Sequence, residues 1–155
     1  MKRWLLILIV LLGVAQFIRP DTSVPAYDPA QDLLAMTKPS TQVEQLVRAA
    51  CYDCHSYESE YPWYDRITPV NWWVHHHVEE ARHHGNLSIW GTLAQKRKDH
   101  FLKDAPDEIG EGDMPLPTYT WMHPKARLTD AQRKVLIDFF SGLRGPGAAD
   151  RDHAD

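Results

Sequence analysis

The sequence predicts an all-α domain over residues 41–145, because three stretches place apolar residues at helical spacing. Each stretch follows a threonine that can cap a helix, namely Thr41, Thr68 and Thr129. Thr41 and Thr129 are followed three residues later by Glu44 and Gln132, which completes the capping-box pattern. We expect roughly three to five helices packed around one core.

The first part of the chain, residues 1–19, predicts a signal peptide or a short membrane anchor. Lys2 and Arg3 precede an apolar run from Trp4 to Ile18, which is the order of charge and apolarity found in export signals. The run is shorter than the roughly 20 residues of a comfortable transmembrane helix. Gly13-Val14-Ala15 offers a passable cleavage site, but the apolar run continues past it and favours an uncleaved anchor. In both cases the rest of the chain is exported, so we expect a periplasmic protein, anchored to the inner membrane or secreted across it.

Two segments outside the predicted domain are irregular. Residues 20–40 are rich in proline and predict a semi-rigid linker, with a short helical turn at Asp32–Met36. Residues 146–155 predict a disordered tail. The formal net charge of −4 and the pI near 6.1 give no basic patch, so binding to nucleic acid is not expected.

The stretch Cys51-Tyr52-Asp53-Cys54-His55 matches the C-x-x-C-H signature for covalent attachment of c-type haem. Thiols at this spacing on a helical turn face the same way, so each can form a thioether with one haem vinyl group. The imidazole of His55 follows directly and can ligate the iron. One motif predicts one haem, and attachment would use both cysteines of the chain.

Three other interpretations of the two cysteines remain open. A thioredoxin-like redox pair needs a βαβ context, which the sequence does not suggest. A Cys2His2-like zinc site needs two further histidines, and His75, His76 and His77 are the available ones. A plain disulfide needs only the cysteines. The adjacent His55 and the export signal favour haem over all three.

Met114-Pro115-Leu116-Pro117 predicts a stiff, extended loop, because proline restricts its own backbone and that of the preceding residue. A thioether on a rigid loop suits the sixth ligand of a haem iron, so Met114 is the predicted distal ligand. Met122 and the three consecutive histidines are its competitors. Consecutive residues on a helix point about 100° apart, so at most one or two of these histidines can face a common site.

The remaining helices are bounded by local signals. The second predicted helix runs from Thr68 to Gly85, and a third, strongly charged stretch begins after a possible cap at Ser88. Residues 107–113 predict at best a weak turn of helix, and Gly142 and Gly145 end the last helix. The buried stripe of the second helix is predicted to comprise Val70, Val74, Val78 and Ala81, and that of the last Val135, Leu136, Phe139, Phe140 and Leu143.

The order of these features, with C-x-x-C-H after the first helix and Met114-Pro115 before the last, is that of cytochrome c folds. Five motifs then resemble the bacterial haem-binding domain family, whose members are small exported c-type haem proteins. The resemblance covers residues 41–143 and implies a cytochrome c-like helical domain. The motifs are Cys51-Tyr52-Asp53-Cys54-His55-Ser56, Tyr61-Pro62-Trp63-Tyr64, Pro69-Val70-Asn71-Trp72, Met114-Pro115-Leu116-Pro117-Thr118-Tyr119 and His123-Pro124-Lys125-Ala126-Arg127-Leu128.

The resemblance implies that Cys51 and Cys54 hold the haem and that His55 ligates its iron. It also implies roles for His76, in the helix after the Pro-Val-x-Trp motif, and for Met114. The family is expected to have a glycine where this chain has an alanine, and the stretch after it is unusually rich in histidine, so the sixth ligand stays open. The departures are Ala81, His83 and His84. The wider haem pocket is predicted to include Trp63, Tyr64, Trp72, His76, Pro115 and Tyr119.

These features predict a periplasmic carrier of single electrons, with one covalent haem c, His55 as proximal ligand and Met114 as distal ligand. The sequence does not name the redox partner. Two alternatives stay open: a peroxidase-like haem enzyme with an acid–base such as His76 over the iron, and a haem-based gas or redox sensor. The sequence shows no nucleophile–base pair and no phosphate loop, so we expect an electron carrier rather than an enzyme.

Overall fold

The computed structural model describes residues 2–144, and this part of the chain is helical, without a strand. The prediction of an all-α protein is therefore confirmed, while the predicted tail lies outside the described residues. The α-helices are α1 Lys2–Ala15, α2 Leu33–Thr37, α3 Thr41–Val47, α4 Asp53–His55, α5 Val70–His84, α6 Gln95–Glu111, α7 Pro117–Met122 and α8 Asp130–Arg144. Short 3₁₀ helices span Pro29–Gln31, Trp63–Arg66, Leu87–Thr92 and Pro124–Ala126, and a π-helical segment spans Arg48–Tyr52.

Helix α1 is apolar along most of its length and contributes no residue to the core. Within residues 2–144, no helix combines the length and the apolarity needed to cross a membrane.

The segment predicted as a linker contributes to the core. The carboxylate of Asp32 accepts the backbone N–H of Leu34 at 2.8 Å and caps α2, where the sequence predicted a short helical turn. Leu33 and Leu34 are 0% and 5% exposed. Asp32 also accepts a hydrogen bond of 2.7 Å from the hydroxyl of Tyr52. Residues 32–37 are thus packed against the element that carries the cysteines.

The helix that leads into the C-x-x-C-H motif has a different cap from the one predicted. The hydroxyl of Ser40 accepts the backbone N–H of Val43 at 3.4 Å, so Ser40 is the N-cap and Thr41 is the first helical residue. Ser40 has the extended backbone that an N-cap requires. Glu44 pairs with Arg48 at 3.1 Å instead of completing a capping box. Helix α3, the π-helical segment and α4 follow one another without an intervening loop.

The predicted threonine cap of α5 is also wrong. Thr68 precedes the helix by two residues, is 4% exposed, and its hydroxyl has no hydrogen-bond partner among the described residues. The helix ends at His84, directly before Gly85, as predicted. Its buried residues are Asn71, His75 and Val78, so only Val78 of the predicted stripe is buried. The other stripe residues, Val70, Val74 and Ala81, line cavities.

Helix α6 is longer than predicted. Ser88 lies buried inside the 3₁₀ helix Leu87–Thr92, which Asn86 caps, and α6 begins only after Ala94. The helix then continues through residues 107–111, where we expected at best a weak turn, and Gly112 ends it at a φ of 90°. Long-range packing explains the extension, because the buried side chains of α6 join those of α8 in one cluster. These side chains are Leu102, Ile109, Leu136 and Phe140.

Helix α8 begins as predicted. The hydroxyl of Thr129 accepts the backbone N–H of Gln132 at 3.3 Å, and the side chain of Gln132 accepts the backbone N–H of Thr129 at 2.8 Å. Gly142 and Gly145 were predicted to end the helix. The helix runs past Gly142 to Arg144, and Gly145 lies outside the described residues. Leu136 and Phe140 are buried, and the remaining predicted apolar residues, Val135, Phe139 and Leu143, pack partly buried against the core.

Candidate functional site

A cavity of about 390 Å³ brings four predicted site residues together. Cys51, Cys54, His55 and Met114 all line it. The volume lies in the range of roughly 300–1,000 Å³ that is typical of small-molecule and cofactor sites. Apolar walls come mainly from the core helices: Phe101, Ala105, Ile109, Leu128, Leu136 and Phe140. The titratable lining residues besides His55 and the cysteines are His77, Glu80, His84, His100, Asp104, Glu108 and Tyr119.

A second cavity of about 310 Å³ adjoins the first. Cys54, His77, Leu116 and Tyr119 line both cavities, so the two meet at these side chains. The second cavity is otherwise walled largely by aromatic and aliphatic groups: Tyr61, Pro62, Trp63, Tyr64, Val70, Trp73, Val74, Val78 and Met122. The space beside the cysteine motif therefore continues on both sides of Cys54.

The imidazole of His55 is held by its Nδ1 atom, which lies 3.1 Å from the carbonyl oxygen of Gly85. A carbonyl can only accept, so Nδ1 carries the proton and donates it, and Nε2 keeps its lone pair. Burial lowers the pKa of His55, while hydrogen bonds to the carbonyls of Gly85 and Ala81 act in the opposite direction. A neutral imidazole with its tautomer fixed by a carbonyl is the form that ligates a metal.

The wall behind His55 requires a glycine at position 85. A Cβ atom there would overlap the ring of Phe101. That ring packs edge-on against His55, with 5.5 Å between the ring centroids, and it also contacts Trp90 and Phe140. Gly85 thus provides both the carbonyl that orients His55 and the space for the ring beside it.

Both cysteines are free thiols and are partly buried. Burial raises the pKa of Cys51 to about 12 and that of Cys54 to about 11. Reactive thioredoxin-like thiols have lowered pKa values, so this environment does not favour the thiol-redox interpretation. The described residues 2–144 contain no group of three or more His, Cys, Asp or Glu side chains that could hold a metal ion, which is what the zinc alternative requires.

The two residues between the cysteines tie the motif to the rest of the domain. Tyr52 points into the core and donates to Asp32, as described above. Asp53 accepts a hydrogen bond from the hydroxyl of Tyr119 in α7, and a second, of 3.0 Å, from the backbone N–H of Glu60. Burial and the bond to Asp53 both raise the pKa of Tyr119, which keeps its hydroxyl protonated as a donor.

The loop after the motif is held by side chains that the sequence did not single out. Arg82 donates from Nε to the carbonyl of Ser56 at 2.7 Å, and from Nη2 to the hydroxyl of Ser59 at 3.0 Å. The hydroxyl of Ser88 accepts the backbone N–H of Tyr57 at 2.9 Å. Ordinary polar residues in helices give no local signal for such roles, because the contacts form only when α5 and the 3₁₀ helix Leu87–Thr92 pack against the loop.

Met114 lies on a short loop that hydrogen bonds to α6 and α8 hold in place. Its backbone N–H donates to the carbonyl of Glu108 at 3.1 Å. Arg133 of α8 donates to the carbonyl of Ile109 at 2.7 Å and to that of Met114 at 3.3 Å. The side chain of Met114 is partly buried against the core, and Pro115 beside it is buried. The thioether is therefore presented to the cavity from a backbone that hydrogen bonds hold in place.

Comparison with known proteins bears on this arrangement. A family model described as a haem-binding domain matches residues 10–142. The chain belongs to the haem-binding domain family. No curated protein and no solved structure matches the chain. The family resemblance predicted from the motifs is confirmed, and the match also extends back over the whole of the predicted linker and into α1.

The residues around the larger cavity fit a haem by the chemistry of their donors. Cys51 and Cys54 lie on one continuous helical stretch and line the cavity together with His55, whose Nε2 is free. Met114 lines the same cavity. The walls are mainly apolar, as a porphyrin requires. These four residues are the ones that would hold the haem-binding domain's cofactor.

The three consecutive histidines are placed differently from one another. His75 is buried, lies 3.3 Å from Asp65 and stacks on Tyr61. His76 points to solvent, with its side chain 64% exposed and Nε2 3.4 Å from Glu80, and it lines neither cavity. His77 lines both cavities, and its Nδ1 lies 2.9 Å from the carbonyl of Trp73, which leaves Nε2 free. The structure thus brings His77, not His76, to the cavities beside the cysteine motif.

The other predicted pocket residues also differ in position, because all but one of them line a cavity. Trp63, Tyr64 and Tyr119 line the smaller cavity, and Tyr119 and Pro115 line the larger one. Trp72 lines neither, because its indole N–H donates to the carbonyl of Ile18 at 3.0 Å on another side of α5. A helical wheel could have placed Trp72 and His77 on different faces of α5, but only if the face of α5 that meets the cysteine motif had been known.

Proposed function

We propose that this haem-binding protein carries one haem c on Cys51 and Cys54 and transfers single electrons on the periplasmic side of the inner membrane. His55 is the proximal ligand and Met114 the distal ligand. The observation that carries the proposal is that these four side chains, two of them thioether-forming thiols, line one cavity of about 390 Å³.

Haem bound here would supply a one-electron couple at its iron, and a His–Met ligand pair raises the potential of that couple. The protein's own groups prepare the site for this role. The bond from His55 to Gly85 sets the imidazole orientation before any ligation, and the Arg133 contacts do the same for the Met114 loop. Fixed ligands reduce the rearrangement that accompanies a change of iron charge. That property favours electron transfer over binding of an external ligand.

The proposed periplasmic location rests on the sequence of α1. Lys2 and Arg3 followed by an apolar helix α1 support export of the domain with α1 retained in the membrane. Covalent attachment of haem to C-x-x-C-H also requires export from the bacterial cytoplasm. The redox partner is therefore expected among exported or membrane-bound proteins.

The covalent link can be tested by mass. The full chain, expressed with the cytochrome maturation machinery, should gain the mass of one haem and give a c-type pyridine haemochrome spectrum. The Cys51→Ala/Cys54→Ala variant should lose both. If the wild-type chain has the mass of the bare polypeptide, the proposal is wrong.

The distal ligand can be tested with two methionines that differ in position. Met114→Ala should convert a low-spin ferric spectrum to high spin and abolish the thioether-to-iron charge-transfer band, since Met114 lines the cavity of His55. Met122→Ala is the matched control, because Met122 is 52% exposed and lines only the smaller cavity. A low-spin spectrum that survives in Met114→Ala but is lost in Met122→Ala would refute the assignment.

A second candidate function is supported by the position of His77. A peroxidase-like enzyme or a gas or redox sensor needs a polar group beside an iron that accepts an external ligand. His77 lines both cavities with a free Nε2, whereas His76, first considered for this role, is exposed. If His77→Ala alters ligand binding or spin state while His76→Ala does not, and Met114→Ala has no effect, this second function is favoured.

A further inference from the structure

The end of α1 is fastened to the haem-binding domain by side-chain hydrogen bonds. The amide of Gln16 donates to the carbonyl of Thr68 at 3.0 Å and accepts the backbone N–H of Thr68 at 3.0 Å. The indole of Trp72 donates to the carbonyl of Ile18 at 3.0 Å. Arg19 donates to the carbonyl of Arg66 at 3.4 Å. The chain leaving α1 is therefore fixed against the start of α5 rather than joined to it by a free spacer.

Large apolar side chains surround this junction and remain exposed. Phe17, Ile18, Ile67 and Trp72 are 88%, 60%, 45% and 42% exposed. We call these four residues the junction patch. None of them lines either cavity, so a cofactor in the haem site would not cover them. An exposed apolar cluster of this kind indicates a surface that binds a protein or a membrane.

The chemistry of the junction points to lipid rather than to another protein. Tryptophan is enriched at the membrane–water interface, and the ring of Trp72 is exposed while its N–H already has a partner in Ile18. Arg19 and Arg66 lie at the same junction through their hydrogen bond, and cationic side chains there can contact anionic headgroups. The patch is also continuous in the chain with α1, whose apolar side chains are exposed throughout.

The length of α1 gives a reason for close contact. Its 14 residues span about 21 Å at about 1.5 Å per residue, which is less than the roughly 30 Å of a bilayer's hydrocarbon core. A short apolar segment is accommodated by local thinning and by drawing its flanking residues towards the bilayer. Phe17 and Ile18 of the junction patch follow α1 in the chain. The hydrogen bonds of Gln16 to Thr68 and of Trp72 to Ile18 place the other two patch residues beside them.

We propose that the junction patch docks into the headgroup layer of the membrane and holds the haem-binding domain in one orientation beside α1. This inference rests on the proposed retention of α1 in the membrane. It goes further, because retention of α1 alone requires no contact between the domain and lipid, whereas docking makes part of the domain itself a lipid-binding surface.

The test uses the full haem-loaded chain with vesicles of phosphatidylethanolamine and phosphatidylglycerol. Flotation of the vesicles reports whether the chain is anchored. Hydroxyl-radical labelling followed by mass spectrometry then reports which side chains are shielded. We expect labelling of Ile67 and Trp72 to fall at least threefold on vesicle binding. Met36 on α2, which is 51% exposed, is the internal control and should change little.

The flotation and labelling results separate anchoring of α1 from docking of the junction patch. A chain that does not float refutes both anchoring and docking. A chain that floats with unchanged labelling of Trp72 refutes docking alone, as does equal shielding of Met36. Shielding of Trp72 without vesicles that increases with protein concentration indicates a second copy of the chain and also overturns the proposal.

A pair of variants sharpens the result. Ile67→Glu places a charge in the junction patch at an exposed position, so it should leave flotation intact and restore the labelling of Trp72. Ile67→Leu keeps the apolar surface and should behave as the wild type. If Trp72 stays shielded in Ile67→Glu as strongly as in Ile67→Leu, the patch is not what contacts lipid.

Discussion

Replacing Gly85 by alanine should destabilise the domain through the wall behind His55. The new Cβ would overlap the ring of Phe101. His55, Trp90 and Phe140 restrict the movement of that ring, with centroids 5.5, 5.6 and 5.9 Å away, and a cofactor in the larger cavity, which the ring lines, would restrict it further. Inserting a methyl group into a packed core in this way costs about 1–3 kcal/mol. The backbone angle is not the cause, since the φ of −167° at Gly85 suits any residue.

Gly110 offers a matched control within the same protein. It lies inside α6, and a Cβ there would meet only Ile137 at an ordinary contact distance of 3.7 Å. Alanine should therefore stabilise the helix by about 0.5–1 kcal/mol. The two glycine-to-alanine variants should thus differ by roughly 1.5–4 kcal/mol in the free energy of unfolding.

Urea denaturation of the full haem-loaded chain, followed by far-ultraviolet circular dichroism, measures this difference. With a slope of about 1–3 kcal/mol per molar urea, the midpoints of the two variants should lie on the order of 1 M apart. Phe101→Leu should cost less in the Gly85→Ala background than alone, because it removes the overlap. A Gly85→Ala variant as stable as Gly110→Ala would show that the wall of His55 is not packed as the structure describes.

Two further predictions concern elements that support the site. Tyr52→Phe removes the buried hydrogen bond to Asp32 and leaves that carboxylate short of a donor. Thermal or urea unfolding should therefore show a loss of about 1–3 kcal/mol in the free energy of unfolding. A loss below about 0.5 kcal/mol, as is common for surface changes, would mean that the bond does not hold α2 to the motif. Thr129→Ala removes the cap of α8 and should lower the free energy of unfolding by about 1 kcal/mol in the same assay, whereas Thr129→Ser should be nearly neutral. An equal loss of stability in the two variants would contradict the capping role.

Local signals predicted the start of α8 and the end of α5. The Thr129 cap forms with Gln132 because both partners lie within one turn, and the end of α5 falls before Gly85. The cap at Thr41 failed because Ser40, one residue earlier, is an equally good cap, and sequence alone does not rank adjacent hydroxyl residues. The extension of α6 was missed because its acidic last turns are stabilised by packing on α8, a distant part of the chain.

The cysteine spacing and the adjacent His55 identified the cofactor family from the sequence alone, because attachment to haem needs a fixed local pattern. Folding was required to bring Met114 to the cavity of His55, to pair His55 with Gly85, and to place His77 there rather than His76. Which neighbouring histidine faces a site depends on the rotation of α5 about its own axis. That rotation is set by burial of Asn71, His75 and Val78 against other segments, and so only the tertiary structure could decide it.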